Sequence, residues 1–319
     1  MGVSLGRSVV VIPVHNEAST IGAIVAEARA YGPVIVVDDA SDDGSGQHAA
    51  ASGATVLTQP RQRGKGVALR CGFGEALRRG ADTIVTLDGD GQHNPQDIPR
   101  LVAASHYWPG SIIIGGRLDA EAEIPRHRLQ AILVGSFWIN WMGRCNIRDT
   151  QSGFRVYPAG VLQALPLKYG GFLLESEILI KASQAGYDIH EVPIRAVYQP
   201  RQRSQYRPAR DGSVITMYLL SRGLRFWPSQ IHRLFRDRRA HASEISWHEW
   251  HRALVAALAT GLLPMLFLSM LLQLSLDRLG LDVLTPIIRR FYDQRLLHKP
   301  AVGRKTLHEH APHKRWEFI

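Results

Sequence analysis

The chain alternates short runs of β-branched residues with longer segments of helical periodicity, and this alternation limits its fold more than any other feature. Five runs predict strands: SVVVIPV (8–14), VIVVDD (34–39), ATVLTQ (54–59), TIVTLDGD (83–90) and SIIIGGR (111–117). The segments between them predict helices, at residues 17–32, 44–53, 64–80 and 94–107. Strands that alternate with helices indicate βαβ units and a mostly parallel sheet. Because the strands are apolar on both faces, we expect helices on both sides of the sheet.

Polar segments follow three of these strands at the point where each strand ends. They are PVHNE after the first strand, DDASDDGS after the second and DGDGQH after the fourth. Ligands of parallel sheets bind at the carboxyl ends of the strands, so we expect the three segments to share one site. The competing interpretation of each is a simple turn, since Asp, Ser and Gly also suit helix caps and left-handed backbone.

Two aspartates one residue apart, Asp88 and Asp90, end an apolar strand, and Gln92 follows them. Carboxylates this close repel each other and are costly to desolvate, so they require a cation or open water beside them. Two carboxylates and an amide oxygen form a hard oxygen site that suits Mg²⁺ or Mn²⁺ bound together with substrate phosphates. His93 is a candidate fourth ligand.

The net charge of the chain is +10, and residues 195–252 hold twelve arginines against four acidic residues. Such a cationic block predicts a polyanionic partner, namely nucleic acid, anionic lipid or a phosphorylated substrate. A nucleic-acid-binding module would interleave aromatic and basic residues, which this block does not, so we predict no nucleic acid. The RQRGKG segment (61–66) lacks the spacing of a phosphate-binding loop, but it places Lys65 or Arg63 near an anion. With two cysteines, we expect no disulfide framework.

Residues 253–276 form a stretch of 24 residues without a charge. A helix of that length would be roughly 36 Å long, which is enough to cross a bilayer. Gly261 and Pro264 near its middle also suit a re-entrant hairpin. The alternative without a membrane role is a helix buried in the core of a soluble protein. Residues 214–227 predict an in-plane amphipathic helix, whereas residues 129–143 are too short to span and predict a core helix or part of an acceptor groove. We expect attachment to the cytoplasmic face of a membrane, with no signal peptide.

Seven motifs occur in the order found in inverting family-2 glycosyltransferases of the GT-A fold, and the chain resembles that family. The motifs are VVIPVHNE, VVDDASDDGS, RGKGVA, LDGDGQHNP, IIGGR, DTQSGFRVYP and VPIRAVYQPRQRS. The resemblance is greatest to dolichyl-phosphate mannosyltransferases and polyprenyl-phosphate glucosyltransferases. It implies an α/β fold, the Rossmann-like GT-A nucleotide-diphospho-sugar transferase fold, followed by C-terminal membrane-associated helices.

The resemblance also implies roles for individual residues. Asp88 and Asp90 would be the metal-binding pair, with Gly89 and Gln92 beside them, and Arg117 would reach the donor sugar or phosphate. Other substrate-binding residues fall into four groups: Pro13, His15 and Glu17 in the nucleotide pocket; Val37 and Asp39 at the base and ribose; Ser152, Gly153 and Arg155 in the loop at the acceptor end; and Arg201 and Arg207, with Arg203 as a competing candidate, in a basic segment over the diphosphate.

The implied reaction moves a hexose from a nucleotide sugar, of the GDP-mannose or UDP-glucose type, to a polyprenyl-phosphate lipid. A divalent ion and arginines would stabilise the charge that develops on the leaving diphosphate. A lipid phosphate is already an anion near neutral pH and needs no strong general base. The alternative is a non-phosphorylated acceptor (a glycolipid, a polysaccharide or another lipid hydroxyl), for which Asp149 is the candidate base. A nucleotide-binding pseudoenzyme is disfavoured because the aspartate pair and Arg117 are intact.

These inferences divide the chain into four segments and name its partners. The segments are a GT-A catalytic domain (1–211), a basic amphipathic juxtamembrane segment (212–252), a hydrophobic membrane segment (253–276) and a basic tail (277–319). The predicted partners are a nucleotide-sugar donor, a polyprenyl-phosphate or other lipid acceptor, and the membrane surface. These predictions do not specify whether the protein forms a homo-oligomer, which nucleobase the donor carries or which sugar is transferred.

Overall fold

The computed structural model describes residues 7–119, 124–171 and 173–195, all within one compact unit. Several predictions lie outside the described residues: the three C-terminal segments beyond residue 211 and the arginines Arg201, Arg203 and Arg207. Within the part that is described, none of the helices combines the length and the apolar character needed to cross a membrane.

Seven strands and seven α-helices follow one another along the described residues. The strands are β1 (Ser8–Val14), β2 (Val34–Asp38), β3 (Thr55–Thr58), β4 (Thr83–Thr86), β5 (Ile112–Gly116), β6 (Arg155–Pro158) and β7 (Ile189–Pro193). The helices are α1 (Ala18–Ala28), α2 (Ser45–Ala51), α3 (Lys65–Arg78), α4 (Ile98–Tyr107), α5 (Arg126–Gly143), α6 (Ala159–Ala164) and α7 (Leu173–Ala185). The five predicted strands and four predicted helices are confirmed, although β4 ends at Thr86, before the aspartate pair.

The strands form one sheet in the order β3-β2-β1-β4-β6-β5-β7. Neighbouring strands are parallel, as predicted, except around β6, which runs antiparallel to both β4 and β5. On one side of β1 the sheet continues with β2 and β3, and on the other side it continues with β4. This reversal between β1 and β4 is the kind of position at which open α/β sheets bind ligands.

The central strand β1 shows why helices cover both faces of the sheet. Its side chains alternate in direction: Val10 and Ile12 belong to a buried apolar cluster with residues of α1 and α4, whereas Val11 faces α3. There Gly72 lets the helix approach closely, since a Cβ at that position would collide with Val11. Both faces of the strand are thereby buried, and each such aliphatic side chain stabilises the fold by roughly 1.5–3 kcal/mol.

The antiparallel strand β6 brings an additional segment to the functional edge. Because β6 runs against its neighbours, the residues that precede it lie at the same edge as the residues that follow β4 and β5. Thr86 at the end of β4 donates a hydrogen bond from Oγ1 to the carbonyl oxygen of Gly153, at 2.8 Å. The DTQSG segment therefore lies beside the aspartate pair, far as it is from that pair in sequence.

Candidate active site

The segments after β1 and β2 are joined by hydrogen bonds at the carboxyl edge of the sheet. His15 Nδ1 lies 2.9 Å from the carbonyl oxygen of Asp39, and the backbone N–H of Glu17 donates to Ser45 Oγ at 2.7 Å. Asn16 between them has a positive φ of 56°, a conformation that asparagine tolerates better than most residues. His15 and Glu17 thus lie together at the edge, as expected for one pocket.

Asp39 is buried and fixes the segment that begins α3. Its two carboxylate oxygens accept hydrogen bonds from the backbone N–H groups of Arg63 and Gly64, each at 2.7 Å. A carboxylate has about four acceptor positions, so two of them remain for a ribose or a base. The contact between Asp39 and the nucleotide stays a prediction. In this structure the Asp39 carboxylate holds the RQRGKG segment in place.

Two residues predicted for the nucleotide pocket are strand residues inside the protein. Val37 is fully buried against α3, with its Cγ2 3.2 Å from where a Cβ at Gly72 would lie. Because the Val37 side chain is packed under a helix, only the backbone of Val37 is available to a base, and that contact stays a prediction. Pro13 is a buried residue of β1, and its carbonyl oxygen lies 3.4 Å from the Cβ position of Gly89, so it supports the aspartate turn.

The first aspartate after β4 is already paired with a cation. Lys65 Nζ lies 2.7 Å from Asp88 Oδ1 and 2.9 Å from Glu175 Oε2. Burial raises the pKa of Asp88, but the Lys65 ammonium and, more weakly, His93 outweigh it and lower that pKa to about 2. Burial would lower the pKa of Lys65, yet the two carboxylates raise it above its ordinary value. Asp88 and Lys65 are therefore both charged at neutral pH.

The second aspartate is held by Gln92. Gln92 donates to Asp90 through its backbone N–H at 3.0 Å and through Nε2 at 2.6 Å, and its Oε1 accepts a hydrogen bond from Arg128 Nη1 at 3.0 Å. Gln92 thus links the aspartate turn to α5, with its carbonyl oxygen directed to Arg128. Burial and the charge of Asp88 raise the pKa of Asp90 above its ordinary value, which is the response of a carboxyl group in a negative potential.

His93 lies buried behind the aspartate turn. Its Nδ1 is 3.4 Å from the backbone N–H nitrogen of Asp88, and its Nε2 has no hydrogen-bond partner among the described residues. Burial lowers the pKa of His93, so the ring is neutral and packs near Phe154 with 5.4 Å between ring centroids. The geometry makes His93 a support for the turn.

The side chains of this site fit a divalent cation that is bound together with a ligand. Across the described residues, no three His, Cys, Asp or Glu side chains are grouped to hold a metal. Asp88 and Asp90 supply two carboxylates one residue apart at the end of β4. Mg²⁺ and similar ions are held in this way by one or two carboxylates together with substrate phosphates. The site is suited to a cation shared with a ligand.

Arg117, directly after β5, is paired with Asp149. Arg117 Nε and Nη2 donate to the two oxygens of Asp149 at 2.6 and 2.9 Å, and Asp149 is completely buried. Glu191 of β7 in turn accepts a hydrogen bond from the backbone N–H of Arg148, at 2.7 Å, and a longer one from that of Asp149, at 3.4 Å. Arg117 is thus fixed at the edge of the sheet by a chain of contacts that reaches back to β7.

The loop predicted for the acceptor end is closed by Arg155. Only 1% of Arg155 is exposed, and its guanidinium donates to the carbonyl oxygens of Ser152, Glu175 and Thr150 at 2.7, 3.0 and 2.8 Å. Ser152 is also fully buried. A contact of Arg155 or Ser152 with a substrate stays a prediction, since both side chains are buried in this structure. Both shape the loop that brings Gly153 against Asp88.

Three residues of this edge were not predicted from the sequence. Glu175 lies in an apolar helix that also carries Glu177, and Glu191 lies in a strand. Gln59, directly after β3, is 7% exposed, and neither of its side-chain polar atoms has a hydrogen-bond partner among the described residues. An amide in that state is unusual, because buried polar groups are nearly always paired.

Comparisons with known proteins identify a family and several relatives. The family model described as Glycosyl transferase family 2 matches residues 9–163. An undecaprenyl-phosphate mannosyltransferase of Micrococcus luteus is 32% identical over 205 residues, which are 60% of this chain and 84% of the relative. A polyprenol monophosphomannose synthase of Mycolicibacterium smegmatis is 29% identical over 203 residues, which are 59% of this chain and 76% of the relative.

A solved structure supports the fold independently. Glucosyl-3-phosphoglycerate synthase from Mycobacterium tuberculosis, in complex with Mn²⁺, uridine diphosphate and phosphoglyceric acid, has a TM-score of 0.53 to this chain. The two sequences are 20% identical, and the match covers 67% of this chain and 76% of the other. At that identity the likeness shows the fold alone.

Proposed function

The chain belongs to glycosyl transferase family 2, and we propose that it transfers a hexose from a nucleotide-diphosphate sugar to a polyprenyl phosphate. It has the GT-A fold and is a glycosyltransferase. One observation carries the more specific proposal: at the carboxyl edge of the sheet, beyond the paired strands β1 and β4, Asp88 contacts Lys65 and also feels the charge of Arg117. Two acids among fixed cations suit a diphosphate that arrives with its own metal ion.

The nucleotide would lie over the ends of β1, β2 and β3. His15 and Glu17 line this region, and Asp39 has acceptor positions left for the ribose. We assign Gln59 to the nucleobase, because its backbone N–H donates to the carbonyl oxygen of Asp38 at 2.8 Å and its buried amide offers one donor group and one acceptor. Both uracil and guanine present such a pair of groups, so this assignment suits either donor.

The diphosphate would lie over the aspartate turn. Asp88 and Asp90 would hold Mg²⁺ or Mn²⁺, which neutralises the charge that develops on the leaving diphosphate. Arg117 is aimed by Asp149 and supplies a fixed positive charge, which costs no reorganisation when the bond to the sugar breaks. We also propose that the basic segment with Arg201, Arg203 and Arg207 covers the diphosphate. This segment is not among the described residues.

The acceptor is proposed to be a lipid phosphate at the cytoplasmic face of a membrane. Burial would raise the pKa of Asp149, but Arg117 outweighs it and holds that pKa below its usual range, so Asp149 is a poor base for a hydroxyl acceptor. A phosphate needs no such base. The names of the Micrococcus and Mycolicibacterium relatives agree with a polyprenyl-phosphate acceptor. Membrane attachment through residues 212–276 belongs to the same proposal.

The test is a transfer assay with purified full-length protein in detergent and lipid. UDP-glucose and GDP-mannose are each offered with undecaprenyl phosphate or with undecaprenol, with and without Mn²⁺. Asp90→Asn should abolish glycolipid formation. Asp82→Asn is the matched control, since Asp82 precedes the same strand, pairs with Arg7 in solvent and should behave like the wild type.

The outcome decides among the parts of the proposal. Metal-dependent glycolipid that forms from one donor, and only with undecaprenyl phosphate, supports the proposal and identifies the nucleobase of the donor. Product formed only with undecaprenol would move the acceptor to a lipid hydroxyl. Nucleotide binding without transfer to either lipid would leave the fold and the donor site in place and exclude both lipid acceptors.

A further inference from the structure

Lys65 joins two carboxylates that belong to different parts of the fold. It is the first residue of α3, Asp88 follows β4, and Glu175 lies in the first turn of α7. The side chains of Lys65, Asp88 and Glu175 are 17%, 27% and 9% exposed. The ammonium is 2.7 Å from one acid and 2.9 Å from the other, so it is held midway inside a site that is largely shielded from water.

This position creates a conflict with the proposed metal site. Asp88 is one of the two carboxylates available to a divalent cation, and Lys65 already occupies the space beside its Oδ1. Two cations near one oxygen repel each other strongly where water is scarce. A divalent ion can bind Asp88 fully only when Lys65 withdraws or when further negative charge reaches the site.

Glu175 provides the place to which Lys65 can withdraw. Glu175 is buried, and its Oε1 accepts no hydrogen bond from the described residues, although Arg155 Nη2 is 4.0 Å away. A lysine ammonium carries three donors, and it already contacts Oε2 of the same carboxylate. A small rotation of the lysine side chain would exchange Asp88 Oδ1 for Glu175 Oε1. The ammonium would then keep two carboxylate-oxygen contacts, both to Glu175, and a buried acceptor would gain a partner.

We propose that Lys65 is a positioning residue that holds Asp88 in the ligand-free protein and shifts to Glu175 when the donor diphosphate and its divalent cation bind. The inference rests on the proposed function, because it assumes that Asp88 is a metal ligand. Its consequence is coupling: the free protein binds a divalent cation weakly, and the diphosphate supplies the negative charge that lets the cation replace Lys65 beside Asp88.

The test measures binding of Mn²⁺ by electron paramagnetic resonance, with purified full-length protein alone and with UDP or GDP. Lys65→Met removes the competing charge at nearly constant length and should tighten Mn²⁺ binding to the nucleotide-free protein by about tenfold. Glu175→Gln weakens the alternative partner of Lys65 and should loosen Mn²⁺ binding by about the same factor. Lys181→Met is the matched control, since Lys181 pairs with Glu177 of α7, and should leave Mn²⁺ binding unchanged.

Opposite directions for the two variants show that both charges act on the metal site, which an ion pair with a purely structural role would not do. If both variants weaken Mn²⁺ binding, or neither changes it, Lys65 is only a structural ion pair and the inference is overturned. Should Lys65→Met fail to fold, Lys65→Gln replaces it, and unchanged or tighter binding by Glu175→Gln overturns the inference by itself. A wild-type protein that binds no Mn²⁺ even with UDP or GDP would instead refute the metal site of the proposed function, and this inference with it.

Discussion

Arg117 and Asp149 form a two-pronged ion pair that joins the end of β5 to the segment before β6. Arg117 Nε and Nη2 lie 2.6 and 2.9 Å from the two carboxylate oxygens, and the backbone N–H of Arg117 donates to the same carboxylate at 3.2 Å. Paired planar groups of this kind fix orientation as well as charge. The acid considered as a base for a hydroxyl acceptor is therefore the group that aims the arginine.

Asp149→Asn should lower kcat by about 10- to 100-fold and change the KM of the donor little. The neutral amide has one acceptor oxygen and cannot accept from both guanidinium nitrogens, so Arg117 would lose its fixed direction while the nucleotide contacts remain. Steady-state kinetics with the donor varied tests this, and Asp119→Asn, which loses only an exposed pair with Arg148, is the control. An acidic limb in the pH profile of kcat that disappears in Asp149→Asn would show that Asp149 acts as a base.

Gly153→Ala should displace Asp88 and weaken binding of Mn²⁺ in the presence of nucleotide by at least about tenfold. A Cβ at residue 153 would lie 2.6 Å from both carboxylate oxygens of Asp88, which is closer than carbon and oxygen can approach without movement. Gly160→Ala is the control: its Cβ would meet no atom within 4 Å, and in helix α6 the change should stabilise the protein by up to about 1 kcal/mol. Equal Mn²⁺ affinities in the wild type and Gly153→Ala would contradict the placement of Asp88.

Glu191 should make the folded protein less stable as the pH rises toward neutrality. Burial, with a smaller contribution from Asp149, raises the pKa of Glu191 from its ordinary value of 4.5 to about 7. The folded state therefore keeps a proton that the unfolded chain releases, so this contribution is complete below pH 4.5 and is lost as the pH rises through about 7. Its size is of the order of 1–3 kcal/mol.

Urea unfolding of the wild type and of Glu191→Gln between pH 4 and pH 8 checks this linkage. The amide keeps an acceptor for the N–H of Arg148 but cannot ionise, so the free energy of unfolding of the variant should decline less over this interval. Parallel curves for the two proteins would show that Glu191 ionises in the folded state much as it does in the unfolded chain.

Gln59→Leu should stabilise the ligand-free protein and weaken nucleotide binding. The buried amide has no hydrogen-bond partner among the described residues, and its replacement by a similar apolar side chain removes an unpaired group that costs about 1–3 kcal/mol. Thermal unfolding with and without UDP and GDP measures both effects, with the exposed glutamine Gln47 changed to Leu as the control. If nucleotide stabilises Gln59→Leu as much as the wild type, Gln59 does not contact the base.

Much of the fold could be predicted because the signals are local. Runs such as SVVVIPV are buried on both faces, and β1 begins and ends where the pattern does. The missed strands, β6 and β7, are short, and their sequences RVYP and IHEVP carry charged or polar residues that weaken the strand signal. The direction of β6 could not be predicted either, because the sense of a strand depends on which partners it reaches.

The sequence by itself determined that acids, a histidine and small polar residues would meet at one edge of a mostly parallel sheet, since strand order along the chain and the identity of strand-end residues suffice for that. Only the tertiary structure decided the pairings at that edge: Lys65 with Asp88 and Glu175, and Arg117 with Asp149. It also placed Arg155 and Val37 in the interior. The physical reason is that periodicity reports the burial of a segment, whereas an ion pair depends on two segments that meet only after the chain has folded.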